Sequence, residues 1–162
     1  MGHKVRLSKI IPLYRYLLME EARLRLSHGF RPFVGMLRIL DGRAFLDVQE
    51  VDTGSTDDEK DEFVEQVRRD AQANGAVAVW CGAQGFVAPD SGPRPSRHPE
   101  RRRLIMLFES SVMGDRLWRA FVRAQPHDER DDVGRWDDEG TLGNGRFVNL
   151  LGGGPRLVRR RR

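Results

Sequence analysis

"FVGMLRILDGRAFLDVQEVD", residues 33–52, is the stretch on which the fold turns. Asp41-Gly42 stands between two β-rich runs. That dipeptide suits a two-residue turn whose central residues both take positive φ. The stretch therefore predicts a hairpin, with strands over about 33–40 and 43–51. In the second strand Ala44, Leu46 and Val48 alternate with Phe45, Asp47 and Gln49, so one face is wet.

Before the hairpin, residues 8–28 read as a helix. Ser8 is the expected N-cap, and Pro12 is tolerated in the first turn, where few amides have partners within the helix. Ile10, Tyr14, Leu17, Leu18, Glu21 and Leu24 follow a three-four spacing and are expected to form one buried stripe. Arg15, Arg23 and Arg25 fall largely off it, and Gly29 suits the left-handed residue past the end.

After the hairpin, "DTGSTDDEKDEFVEQVRRDAQANG" predicts a second helix. Thr56 and Glu59 have capping-box spacing, Asp57 and Asp58 favour the first turn, and Gly75 closes the helix. Phe63, Val67 and Ala71 make a narrow apolar stripe, which suits a helix on the outside of a sheet. Three further strands are expected over about 76–87, 102–112 and 116–124, the last two joined at Gly114-Asp115. Residues 126–145 are acidic and Gly-rich and read mostly as loop, with a short helical turn near Val133 and Trp136. "RFVNLL", 146–151, reads as a short strand or a helical turn docking Phe147, Leu150 and Leu151.

The expected architecture is α+β: a five-stranded, mainly antiparallel sheet with two helices in the order α-β-β-α-β-β-β, then an irregular C-terminal segment. Residues 1–151 form one domain and 152–162 a flexible Gly/Arg-rich tail. This element order resembles that of roadblock, longin and profilin-like domains over residues 8–124, families that are mostly interaction modules. A second resemblance covers residues 30–151. "GAVAVWCGAQGFVAP", "SRHPERRRLIMLFES" and the later "GRFVNLL" are similar to a family of small uncharacterised bacterial and phage proteins. There a glutamate-alanine-tryptophan triplet ends the apolar strand; here Gln84, Gly85 and Phe86 stand in its place. His98, Pro99, Glu100 and Arg101 match the later segment. That resemblance implies no activity.

A chain of 162 residues buries roughly two-thirds of the surface it exposes when unfolded, enough for a core without staples. Apolar residues make up 39% and charged residues 32%. The formal net charge is +4; residues 156–162 carry five arginines and no acid, so the rest stands at 4 − 5 = −1. Basic character is thus mostly a property of the tail. One cysteine, Cys81, excludes an internal disulfide, and no stretch reads as a signal peptide or a membrane span, so a cytoplasmic setting is expected.

Cys81, His98 and Glu109 are the residue types of a nucleophile, base and orienter, but Cys81 lies in "VAVWCGA", where burial is expected. The four histidines sit in four separate segments without metal-ligand spacing, and no Gly-rich phosphate cradle is present. No catalytic, metal or cofactor residue is therefore assigned. The prolines at 89, 93, 95 and 99 stiffen a long hairpin connection, in which Arg101 is placed to pair with Glu109, Glu100 or a later acid. Arg94, Arg97, Arg101, Arg102 and Arg103 crowd this loop and strand edge, and Arg156, Arg159, Arg160, Arg161 and Arg162 crowd the tail. Such arginines neutralise phosphates without reading sequence. Three functions follow as expectations. The first is a non-enzymatic interaction module, such as a phage or prophage accessory protein, that binds another protein at a sheet edge, with homo-oligomerisation open. The second is a nonspecific nucleic-acid binder using loop and tail arginines. The third is a hydrolase or nuclease around Cys81, His98 and Glu109.

Overall fold

The structure, a computed structural model, describes residues 6–89, 97–123, 132–141 and 146–152. The chain runs α1 (Leu7–Leu26), β1 (Phe33–Leu40), β2 (Arg43–Glu50), α2 (Asp57–Ala73), β3 (Ala78–Val87), β4 (Arg102–Ser111), β5 (Gly114–Arg123), β6 (Asp132–Val133) and β7 (Asp137–Thr141). The sheet order is β2-β1-β3-β4-β5-β6, with β7 also pairing β5, and every pairing is antiparallel. β2 and β3 both flank β1, so they run parallel and the connection between them must cross over β1. α2 makes that crossover.

The predicted hairpin forms. Asp41 and Gly42 have φ of 51° and 76°, the two positive values of a type I′ turn, and Leu40 faces Arg43 across it. α2 begins as its sequence requires: the Glu59 N–H donates to Thr56 Oγ1 at 3.1 Å. The Glu59 carboxylate reaches back to the Ser55 N–H at 2.8 Å rather than to that of Thr56.

The two helices cover opposite faces. Along β3, Trp80 points into the core beneath α1, with Phe33, Leu37, Ile105 and Leu107, while its neighbours Val79 and Cys81 join Val34, Val64, Val67 and Ala71 beneath α2. The period-two alternation of strands makes this division. Two glycines let the α1 layer close. A Cβ on Gly35 would come within 2.9 Å of Leu18 Cδ1, and one on Gly82 within 2.3 Å of the Phe33 ring. Residues 146–151 form a turn, not a strand; Leu150 is buried and Phe147 stacks on Phe108 at 4.6 Å between centroids.

Three expectations are corrected. The sheet has seven strands, not five, because part of the acidic Gly-rich segment pairs with the outer side of β5. Asp138 and Glu139 have weak strand preference, but they bond Arg116 and Arg119 on the neighbouring strand, and Val133 and Trp136 pack against the α1 core. Ser8 is not the N-cap of α1; Arg6 holds that position, without a side-chain bond. The buried stripe of α1 is Ile11, Leu18, Ala22 and Leu26, whereas Leu17 and Leu24 are 52% and 54% exposed. Leu17 and Leu18 are adjacent and equally apolar, so pattern alone did not choose between them.

Candidate interaction surface

β2 ends the sheet. Because the turn has two residues, Leu40 and Arg43 exchange hydrogen bonds, and so do the pairs at 38/45, 36/47 and 34/49. The same phase continues past the strand, where the Val51 N–H donates to the Pro32 carbonyl at 2.9 Å. The main-chain groups of Ala44, Leu46 and Val48 therefore point away from β1. Among the described residues no strand pairs with that side. The side chains of Ala44, Leu46 and Val48 lean on the α1 core, while Arg43, Phe45, Asp47 and Gln49 emerge on the α2 side. Phe45 is 44% exposed.

Above this edge lies one flank of α1. At about 100° per residue, Leu13, Leu17 and Leu24 fall within about 40° of one another, and Glu21 and Arg25 follow next around the helix. Arg25 bonds Glu21 at 2.9 Å and approaches Glu50 of β2 at 4.0 Å. Arg15, on the opposite flank, points to β4 and β5. The exposed leucines lie about 150° around the helix from the buried Ile11, Leu18, Ala22 and Leu26, so they point away from the sheet. Leu24 alone shares a surface hollow with Glu50. The sequence carries the signal for this side in Leu13, Leu17 and Leu24, the last two of which the spacing assigns to the buried stripe.

The arginines of the hairpin connection are held apart by the pleat. Arg97 is exposed. Arg103 donates to Gln84 Oε1 at 2.8 Å on the α1 face, and Arg101 lies over Phe86 at 5.3 Å. Arg102 emerges on the α2 face over Phe121 at 3.8 Å, with Arg119 on the same ring at 5.7 Å. Arg94, Arg156, Arg159, Arg160, Arg161 and Arg162 lie outside the described residues, as do His3, His127 and the acids from 128 to 131.

Cys81, His98 and Glu109 do not meet. In register Trp80 faces Glu109 and Cys81 faces Phe108, so Cys81 and Glu109 point to opposite sides of the sheet. His98 precedes β4, and Glu109 stands seven residues beyond its start (109 − 102), about 23 Å of extended chain. Burial pushes the Cys81 thiol up to about 12, far from a thiolate at neutral pH. His98 is itself buried, and its Nδ1 accepts the Glu100 N–H at 3.0 Å, a bond that shapes the turn into β4.

Glu109 has a different partner from the expected Arg101. It is 1% exposed, and the guanidinium of Arg15 binds it twice, Nε to Oε1 at 2.6 Å and Nη2 to Oε2 at 2.9 Å. Trp80 Nε1 donates to the same Oε1 at 2.8 Å, and Arg15 stacks on Trp118 at 4.4 Å. Both carboxylate oxygens are thus taken, and the group clamps α1 to the sheet. Nearby, burial pushes the Asp138 carboxyl up, but the Gly140 amide and the guanidinium of Arg116, with Arg15 behind, outweigh it and hold the group below its ordinary value. Among the described residues no group of three potential metal ligands gathers, and no helix is long and apolar enough to cross a membrane. Compared with known protein families, curated proteins and solved structures, the chain matches none of them.

Proposed function

We propose that the chain is a protein-interaction module that receives an extended segment of a partner along β2. The observation that carries this reading is the outer side of β2, eight residues long, whose ladder groups at Ala44, Leu46 and Val48 have no strand beside them among the described residues. Exposed edges of this kind are templates for strand addition, which natural proteins otherwise cover or blunt. The surface hollow that Leu24 of α1 shares with Glu50 supports the reading, because it offers contact beside the end of the main-chain ladder.

Ala44→Pro tests it. The Ala44 N–H points outward, so proline there removes an outward donor and leaves the β1–β2 bonds intact. The wild-type chain is used as bait in nuclease-treated host lysate beside this variant. A partner retained by the wild type and lost by Ala44→Pro is the expected result. Retention of the same partner by both would remove β2 as the docking edge.

A second reading, electrostatic contact with nucleic acid, is favoured by Arg102 and Arg119 gathered at the partly exposed Phe121, a cationic and aromatic cluster of the kind that meets phosphates and bases. Filter binding at low salt, with and without residues 153–162 and with Arg102→Ala, tests it. No retention of DNA or RNA by the full chain ends that reading.

A further inference from the structure

Edge strand β2 is complementary to itself, and we infer that the occupant of this edge is a second copy of the chain, paired antiparallel through a two-fold axis at Phe45. The inference rests on the proposed docking role of β2. In such a pair, residue numbers on facing positions add to a constant. Only even sums bring the outward groups of Ala44, Leu46 and Val48 together, since those groups lie on even positions.

Among even sums the side chains decide. A sum of 94 sets Asp47 against Asp47, like charge on like. A sum of 92 sets Phe45 against Asp47, and a sum of 88 sets Asp41 against Asp47. A sum of 90 sets Phe45 against Phe45, Ala44 against Leu46, and Arg43 against Asp47 on both sides of the axis. The Phe45 pair then occupies a non-exchanging position, where facing side chains approach most closely. Aromatic and opposite-charge pairs are the favourable cross-strand combinations. Arg43 and Asp47 are both exposed; Asp47 keeps Arg38 at 3.3 Å within its own chain and, at 63% side-chain exposure, has room for a second guanidinium.

The axis stands perpendicular to the sheet, so both copies of α1 lie on the same side of the joined sheet. One geometry accounts for the open ladder and the exposed Phe45 together.

The test is the mass of the full chain by sedimentation equilibrium over a concentration series. The wild type is expected to dimerise. Arg43→Asp and Asp47→Arg each create two like-charged pairs and are expected to weaken association about tenfold or more. Mixing the two variants restores both opposite pairs, so the mixture associates as a heterodimer, and R43D/D47R in one chain recovers the homodimer. Phe45→Cys is expected to form an interchain disulfide on oxidation, which reads the register even if a charge variant folds poorly. A wild type that stays monomeric, or a dimer indifferent to the swaps and without the Phe45→Cys disulfide, overturns the inference. A monomer that still captures a partner lost by Ala44→Pro sinks self-pairing alone, whereas capture insensitive to Ala44→Pro sinks the docking role of β2 itself.

Discussion

The two helices cover the same sheet in different ways. α2 presents a single stripe, Val64, Val67 and Ala71, and is polar elsewhere; its fit is aliphatic, completed by Leu150 and Phe147 from the C-terminal turn. α1 is apolar on two sides and is fastened by a buried ion pair, Arg15 to Glu109, which also takes the Trp80 indole. A helix with one apolar stripe is satisfied by its own sheet. A helix with two is left with Leu13, Leu17 and Leu24 exposed on its outer side, away from the sheet.

Removing the carboxylate that fastens α1 should produce the largest effect. Glu109→Ala leaves the Arg15 guanidinium, only 17% exposed in its side chain, without its counter-charge. The expected loss is about 3–5 kcal/mol in urea denaturation. Arg15→Leu combined with Glu109→Leu should recover about half of it and leave about 1–3 kcal/mol, the penalty of the unpaired Trp80 N–H. A double variant no more stable than the single one would show that the unpaired charge is not the source of the loss.

The adjacent leucines of α1 give the sharpest test of which side is core. Leu18 is 1% exposed and packs on Gly35, so Leu18→Ala should lower stability by about 2–5 kcal/mol. Leu17→Ala should change it by less than about 0.5 kcal/mol. Equal losses at both positions would mean that the exposed flank is part of the fold.

What could be read from the sequence was what short-range chemistry dictates. Asp41-Gly42 set the hairpin and its register, and Thr56 with Glu59 set the start of α2, because each acts on residues within a few positions. The choice between Leu17 and Leu18 depends on where the sheet lies. The Arg15–Glu109 pair joins residues 94 apart, so no window of sequence contains it. β7 was hidden because its strand character comes from Arg116 and Arg119 on β5 and not from its own residues, and β6 because it is two residues set only by pairing with Val122 and Arg123. The open side of β2 was likewise invisible until the sheet order placed β2 last.

The starts of the two helices differ as their flanks do. Thr56→Ala removes the bond to the Glu59 N–H and should destabilise by about 1 kcal/mol, whereas Ser8→Ala, inside a helix without a side-chain cap, should stay within about 0.5 kcal/mol. Thermal melts of the two variants, measured side by side, separate the cases.

The smallest effect is expected where α2 meets the C-terminal turn at the surface. Arg146 bonds Asp57 at 2.9 Å and Asp61 at 2.8 Å, and this contact, first as a hydrogen bond and then as charge, holds the Asp57 carboxyl below its ordinary value of 3.8. A carboxylate whose folded value is depressed stabilises the fold above its unfolded value and loses that contribution as pH falls through the folded one. The melting-temperature difference between wild type and Arg146→Ala should therefore be present at neutral pH, shrink with added salt because the pair is exposed, and fade on acidification below the ordinary carboxylate range. A difference that persisted undiminished in acid would assign the role of Arg146 to the packing of its aliphatic stem, and the C-terminal turn would then be held to α2 by apolar contact and by the Arg68 guanidinium, which donates to the Val148 and Asn149 carbonyls.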